Sequence, residues 1–171
     1  ILLNALHSDE PEMVAVIGRR RVGKTFLVRT AFGDDLDFEI TGTQNASTSE
    51  QLKNFAIRIR EFFGEDSIAG TPGNWMDAFE MLMRQLDRKK KSEKMVVFLD
   101  EIPWLSTHKS GFLNALGFFW NSWATRRNIV VVICGSAAAW MIQKVVYHKG
   151  GLHNRITRRV DLLPFTLFET E

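Results

Sequence analysis

Residues Gly18 to Thr25 read GRRRVGKT and satisfy the pattern G-x-x-x-x-G-K-[ST] in full. An apolar run, Met13 to Ile17, leads directly into Gly18, and the stretch from Thr25 to Phe32, closed by Gly33, reads as a helix. A strand, a tight loop and a helix are the context this pattern needs. Glycines let the loop wrap so that its backbone N–H groups point inward at phosphate oxygens, while Lys24 reaches the outer phosphates and Thr25 offers a hydroxyl to Mg²⁺. The residues expected to line a bound nucleotide are Gly18, Arg19, Arg20, Arg21, Val22, Gly23, Lys24, Thr25 and Phe26. Arg19 to Arg21 add positive charge near phosphate, but side chains at such positions often point away from it.

The rest of the chain has room for one domain around that loop. Its 171 residues are 45% apolar and 25% charged, enough for a core with no disulfide or metal staple. The single cysteine, Cys134, excludes an internal disulfide, and the four histidines form no zinc spacing. A net charge of +2 names no partner. No run approaches the roughly 18 apolar residues that span a membrane, and no secretory leader opens the chain. The cytoplasm is the expected compartment, with no membrane partner.

Strand and helix alternate from end to end. Leu36 to Ile40 reads as a second strand. From Ser49 to Phe63, apolar residues recur at spacings of three and four, with a capping-box pair, Ser47 and Glu50, just before them. Another amphipathic helix carries Trp75, Ala78, Phe79, Leu82 and Leu86 on one face. Met95 to Leu99 and Ile129 to Cys134 are continuous apolar runs of strand length, which fit strands buried on both faces. Helices are expected from about Ser110 to Ala124 and from Ala137 to Tyr147, with a last strand near Arg159 to Leu163. The pattern predicts an α/β fold with a five-stranded parallel sheet covered on both sides.

Met95 to Leu99 ends in Asp100-Glu101. An acid at the carboxyl end of such a strand lies beside the phosphate loop and can hold the Mg²⁺ shell, and a second carboxylate next to it can polarise a water for attack on the γ-phosphate. Asp100 is therefore a metal-side candidate with Thr25, and Glu101 a catalytic one. A GTPase would carry an Asn-Lys-x-Asp element, which is absent, and metabolite kinases do not need the added glutamate. In ATPases that carry it, the strand corresponding to Ile129–Cys134 lies between the other two and ends in a polar residue aimed at the γ-phosphate. Ser136 is at that place, and it is equally suited to cap the following helix. Arg155, Arg158 and Arg159 precede or enter the last strand. An arginine there would lie at the edge of the nucleotide site, within reach of a neighbouring subunit's phosphate, and Arg155 is the best placed because it precedes the strand.

VIGRRRVGKTFLVR, FLDEIPWL, ICGSAAAWM, GGLHNRIT and LLPFTL, in that order and spacing, resemble the prokaryotic AAA+/STAND-related P-loop ATPases of the archaeal-type ATPase family. The resemblance covers nearly the whole chain. It implies a three-layer sandwich with strand order 5-1-4-3-2, ATP with Mg²⁺, Asp100 and Glu101 in the Walker B roles, Ser136 as first sensor and Arg155 near the finger position. Family members add a C-terminal helical lid, and often winged-helix or nuclease-like regions. Residues 1–171 are then expected to be a single ATPase core cut from a longer protein, without the lid and with low activity alone.

Two functions follow from this reading. One is Mg²⁺-dependent ATP hydrolysis by Lys24, Glu101, Ser136 and Arg155, driving or gating attached regions. The other is a nucleotide-dependent switch of conformation or assembly with little turnover. ATP and ADP are the expected ligands, self-association through the Arg155 edge the expected contact, and DNA or a protein a partner reached through regions outside this core. Cys134 reads as a buried strand residue, and Phe112, Leu116, Phe119, Trp120 and Trp123 as a packing face or a partner-binding patch. Pro164 followed by Thr166 and Glu169 reads as a turn into a new helix.

Overall fold

In β1 (Glu12–Gly18) every residue but the last is buried, and successive side chains feed two separate cores. Met13, Ala15 and Ile17 join one cluster, and Val14 and Val16 the other. This is the period-two alternation of a strand covered on both faces. The computed structural model describes residues 1–90, 93–146, 152 and 154–164.

Helix α1 (Leu2–Leu6) precedes β1, and α2 (Lys24–Phe32) follows its loop. Leu2 and Ala5 of α1 pack with Val28 and Phe32 of α2 on one side of the sheet, while Leu3 is exposed. The opposite side is larger and aromatic. There α3 (Thr48–Phe63) and α4 (Trp75–Leu86) pack against β2 (Phe38–Thr41) and β3 (Met95–Asp100). Trp75 stands edge-on to Phe112 at 4.9 Å between centroids and to Phe55 at 5.8 Å, a geometry that suits ring quadrupoles. The Ser47–Glu50 capping box forms as expected.

After β3 come a short helix, α5 (Ile102–Leu105), then α6 (Phe112–Phe118), β4 (Ile129–Gly135), α7 (Ala138–Met141) and β5 (Arg158–Leu162). All five strands are parallel in the order β2-β3-β4-β1-β5. This is the expected three-layer P-loop sandwich, with order 5-1-4-3-2 read from the other edge.

Several expected boundaries move. β2 starts at Phe38, because at Asp37 only the N–H pairs through the backbone, with the Val96 carbonyl (2.9 Å), while the Asp37 carboxylate takes the Val96 N–H (2.8 Å) and Lys89 (2.7 Å). The helix expected from Ser110 begins after Gly111, whose φ of +74° does not fit a helix, and its second half widens into a π turn over Phe119–Trp123. The mixed spacing of Phe112, Leu116, Phe119, Trp120 and Trp123 matches that change, and all five are buried. They form a packing face. A π turn over Ile142–Val146 likewise follows α7. Thr166 and Glu169 lie outside the described residues. Among the described residues no helix is long and apolar enough to cross a membrane.

Candidate nucleotide site at the carboxyl end of the sheet

The loop leaves β1 at Gly18, where a Cβ would sit 2.4 Å from the Leu162 carbonyl oxygen of β5. Only glycine allows that approach. Arg21 and Gly23 take left-handed conformations, φ +66° and +88°, and turn the chain into the first turn of α2. The Lys24 ammonium lies inside the loop, buried to 5% exposure, and donates to the carbonyls of Gly18 (2.9 Å) and Arg19 (2.7 Å). Val22 is buried beneath the loop, while Arg19, Arg20, Arg21 and Phe26 are exposed. Arg20 lies 5.1 Å from the Trp104 ring centre and donates to Gln44 Oε1 at 3.4 Å, so its charge is directed to the α5 side of the loop.

β3 brings Asp100 to the same end of the sheet. Its Oδ2 accepts from the Thr25 hydroxyl at 2.6 Å and its Oδ1 from the Glu101 N–H at 2.9 Å, and the residue is only 2% exposed. A hydroxyl and a buried carboxylate in contact are the hard oxygen donors that Mg²⁺ prefers, with phosphate oxygens and water completing the shell. Among the described residues no group of three or more His, Cys, Asp or Glu side chains gathers at a metal position. Cys134 lies beside Asp100, where burial, reinforced by that charge, pushes its thiol far up; it is an inert core residue, as expected.

Glu101 takes the left-handed conformation, φ +49° and ψ +48°. For a residue with a side chain this costs on the order of 1 kcal/mol and persists only where surroundings over-determine it. Its Oε2 accepts from both the N–H (3.0 Å) and the hydroxyl (2.8 Å) of Ser136 at the end of β4. Of the two readings of Ser136, the cap is corrected: Ala137 occupies the N-cap of α7 and makes no side-chain cap bond. The Ser136 hydroxyl is committed to Glu101 because β4 lies next to β3.

The arginines are not brought to this place. β5 runs parallel to β1, with Arg158 beside Val14 and Leu162 beside Gly18, so Arg155 lies near the amino end of β5. At about 3.3 Å per residue β5 alone separates Arg158 from Leu162, beside the loop, by roughly 13 Å, and Arg155 precedes that start. The expectation that the arginine loop borders the site is corrected for the chain's own site, because a parallel strand carries its beginning and its end to opposite sides of the sheet. Arg158 pairs with buried Glu12 at 2.7 Å and Arg159 with Asp161 at 2.7 Å. Arg155 is exposed and has no ion-pair partner among the described residues.

A family model described as an ATPase domain predominantly from Archaea, ATPase_2, matches residues 1–170. The chain belongs to this ATPase family. No curated protein matches it in sequence. The ATPase domain superposes on the Walker-type ATPase PABY2304 of Pyrococcus abyssi with a TM-score of 0.66 at 18% identity, covering 98% of this chain and 54% of that one. It also matches a chain from the Drosophila ORC complex with AT-rich DNA and Cdc6 (TM-score 0.56, 13% identity, 100% and 54% coverage). A chain from the GC-rich DNA complex with Cdc6 matches as well (0.57, 9%, 94% and 26%). The domain thus spans about half or less of the chains it resembles, and at these identities the likeness is one of fold.

Within this ATPase domain two residues near Glu101 are not evident from the motifs. Gly42 follows β2, and a Cβ there would meet the Glu101 carbonyl oxygen at 2.6 Å. Gln51 is fully buried on α3. Its signal is its place four residues before Phe55 and eight before Ile59, on the helix face that enters the core.

Proposed function

We propose that this domain binds ATP with Mg²⁺ at the Lys24 loop and hydrolyses it, and that turnover drives or gates regions attached to the core. The observation that carries the reading is the 2.6 Å contact between Thr25 and Asp100, with Glu101 at the next position. The loop N–H groups and the N-terminus of α2 offer donors and positive potential to phosphate oxygens. The Lys24 ammonium exchanges its two carbonyl partners for the outer phosphates. Thr25 and Asp100 would hold Mg²⁺, which would supply charge stabilisation to the phosphate oxygens. Both Ser136 bonds go to Oε2 of Glu101, which leaves Oε1 to accept a proton from water. As the water oxygen bonds to the γ-phosphorus, the bond from that phosphorus to the β–γ bridging oxygen breaks, and ADP and phosphate result. Ser136 orients Glu101, and through that carboxylate registers the γ-phosphate.

The position of Arg155 favours a second element of this reading. Too far from its own loop, it would act on the nucleotide of a neighbouring copy, which makes turnover dependent on assembly. A switch in which ATP sets assembly and hydrolysis is incidental uses the same contact. The related Drosophila structures hold DNA, and a DNA-coupled role for this protein would appear as stimulation of turnover that fades with salt.

The test is Glu101→Gln in the full-length protein. ATP binding is retained and hydrolysis lost; sustained turnover would overturn the role of Glu101. If ATP but not ADP changes the oligomeric state while wild-type turnover stays negligible, the switch is the better account.

A further inference from the structure

We propose that Gln51 is a positioning residue for Glu101, fixing through its buried amide the turn that carries the water-activating carboxylate. The inference rests on the proposed role of Glu101. Its starting point is the left-handed backbone at that residue, which needs an external restraint. The Asp100 carboxylate holds the Glu101 N–H, and Ser136 holds the side chain. The remaining group, the Glu101 carbonyl, accepts from the Trp104 N–H at 2.9 Å and rests against Gly42.

Gln51 brackets both of those neighbours. Its Nε2 donates to the carbonyl of Thr43 at 2.6 Å and to that of Trp104 at 3.2 Å, and its Oε1 accepts from the Thr43 N–H at 3.1 Å. Two carbonyls facing one end of the amide and an N–H facing the other leave a single orientation for it. One side chain, 0% exposed, therefore ties the residue after Gly42 to the last turn of α5. The Glu101 carbonyl lies between the two. Gly42 is itself fixed by its N–H to the Asp100 carbonyl at 2.9 Å, so the frame is anchored on the strand that carries the acid pair. A glutamine that merely stapled a loop would affect folding alone; this one closes a ring of backbone contacts around one strained peptide.

The experiment uses the full-length protein with Gln51→Met, which keeps the length and removes all three bonds. The expected result is a fall in kcat of tenfold or more, with KM for ATP within about twofold. Amide exchange should be faster across Glu101 to Ser106 and unchanged across Lys24 to Phe32. Gln51→Glu serves if the methionine variant does not fold. Its carboxylate faces two carbonyls, and the same split is expected at pH 8, with recovery toward wild type at pH 6 as a proton restores one donor. Equal losses in ATP binding and turnover, or exchange raised throughout the domain, would reduce Gln51 to a stability residue. Unchanged exchange at the turn overturns the proposal while leaving the role of Glu101 intact. Turnover retained by Glu101→Gln overturns that role, and with it the catalytic consequence drawn for Gln51.

Discussion

Ser136 grips one oxygen of Glu101 twice, from its N–H at 3.0 Å and its hydroxyl at 2.8 Å. Hydrogen bonds to a charged acceptor are worth about 1.5–3 kcal/mol, and each 1.4 kcal/mol is a factor of ten in rate. Ser136→Ala keeps the N–H bond and loses the other. Its turnover should drop about tenfold or more with ATP affinity little changed. Steady-state kinetics beside equilibrium binding checks this, and an unaltered kcat would remove Ser136 from the mechanism.

The Thr25–Asp100 contact predicts a metal phenotype. Thr25→Val keeps the shape of the side chain and deletes its oxygen ligand. The Mg²⁺ concentration giving half-maximal turnover should rise about tenfold or more, read from a magnesium titration at saturating ATP. An unchanged titration would place the metal elsewhere.

Arg155 and Arg158 should separate cleanly. Arg158→Ala removes the cation paired with the buried Glu12 carboxylate and should cost about 2 kcal/mol of stability, visible in denaturant unfolding. Arg155→Ala should leave stability within about 0.5 kcal/mol of wild type and lower turnover at least a hundredfold. Mixing Arg155→Ala with Lys24→Ala should restore some turnover, because one copy keeps the arginine and the other the phosphate loop. Mixtures as inactive as their components would exclude action between copies.

Glu12 also sets an acid limit. Burial pushes its carboxyl up, but hydrogen bonds from Arg158, Thr157 and Ser8, with the Arg158 charge, outweigh that and hold it below the usual range. A carboxyl with a lowered folded value contributes stability above its ordinary value of about 4.3 and loses it as pH falls through the lowered one. Melting temperature should therefore fall more steeply below about pH 4.3 in wild type than in Glu12→Gln, which starts less stable at pH 7. Parallel curves would rule the linkage out.

The sequence exposed the fold and the phosphate chemistry because they rest on local patterns. Gly18 to Thr25, the run into Asp100-Glu101 and the Ser47–Glu50 box each need only neighbours along the chain. Ser136 is different: a small hydroxyl after β4 suits both a helix cap and a bond to Glu101, and only the adjacency of β4 and β3 decides. The place of the arginine turn was not legible for another reason: proximity in sequence to β5 does not say which end of the sheet it occupies, and only the parallel pairing of β5 with β1 does. Gln51 was hidden for a simpler reason, since a polar residue at the start of an amphipathic helix ordinarily marks its wet side, and here it lies among backbone groups that need donors.

Lys24 has one more consequence. Its ammonium already has two carbonyl partners, so the loop keeps its counter-charge in place and its curvature supported from within. An arriving nucleotide meets a preorganised cradle and trades one set of bonds for another instead of ordering a slack loop. Affinity at this site should then follow the strength of that exchange, and Lys24→Met should both weaken binding and loosen the loop that the cation now braces.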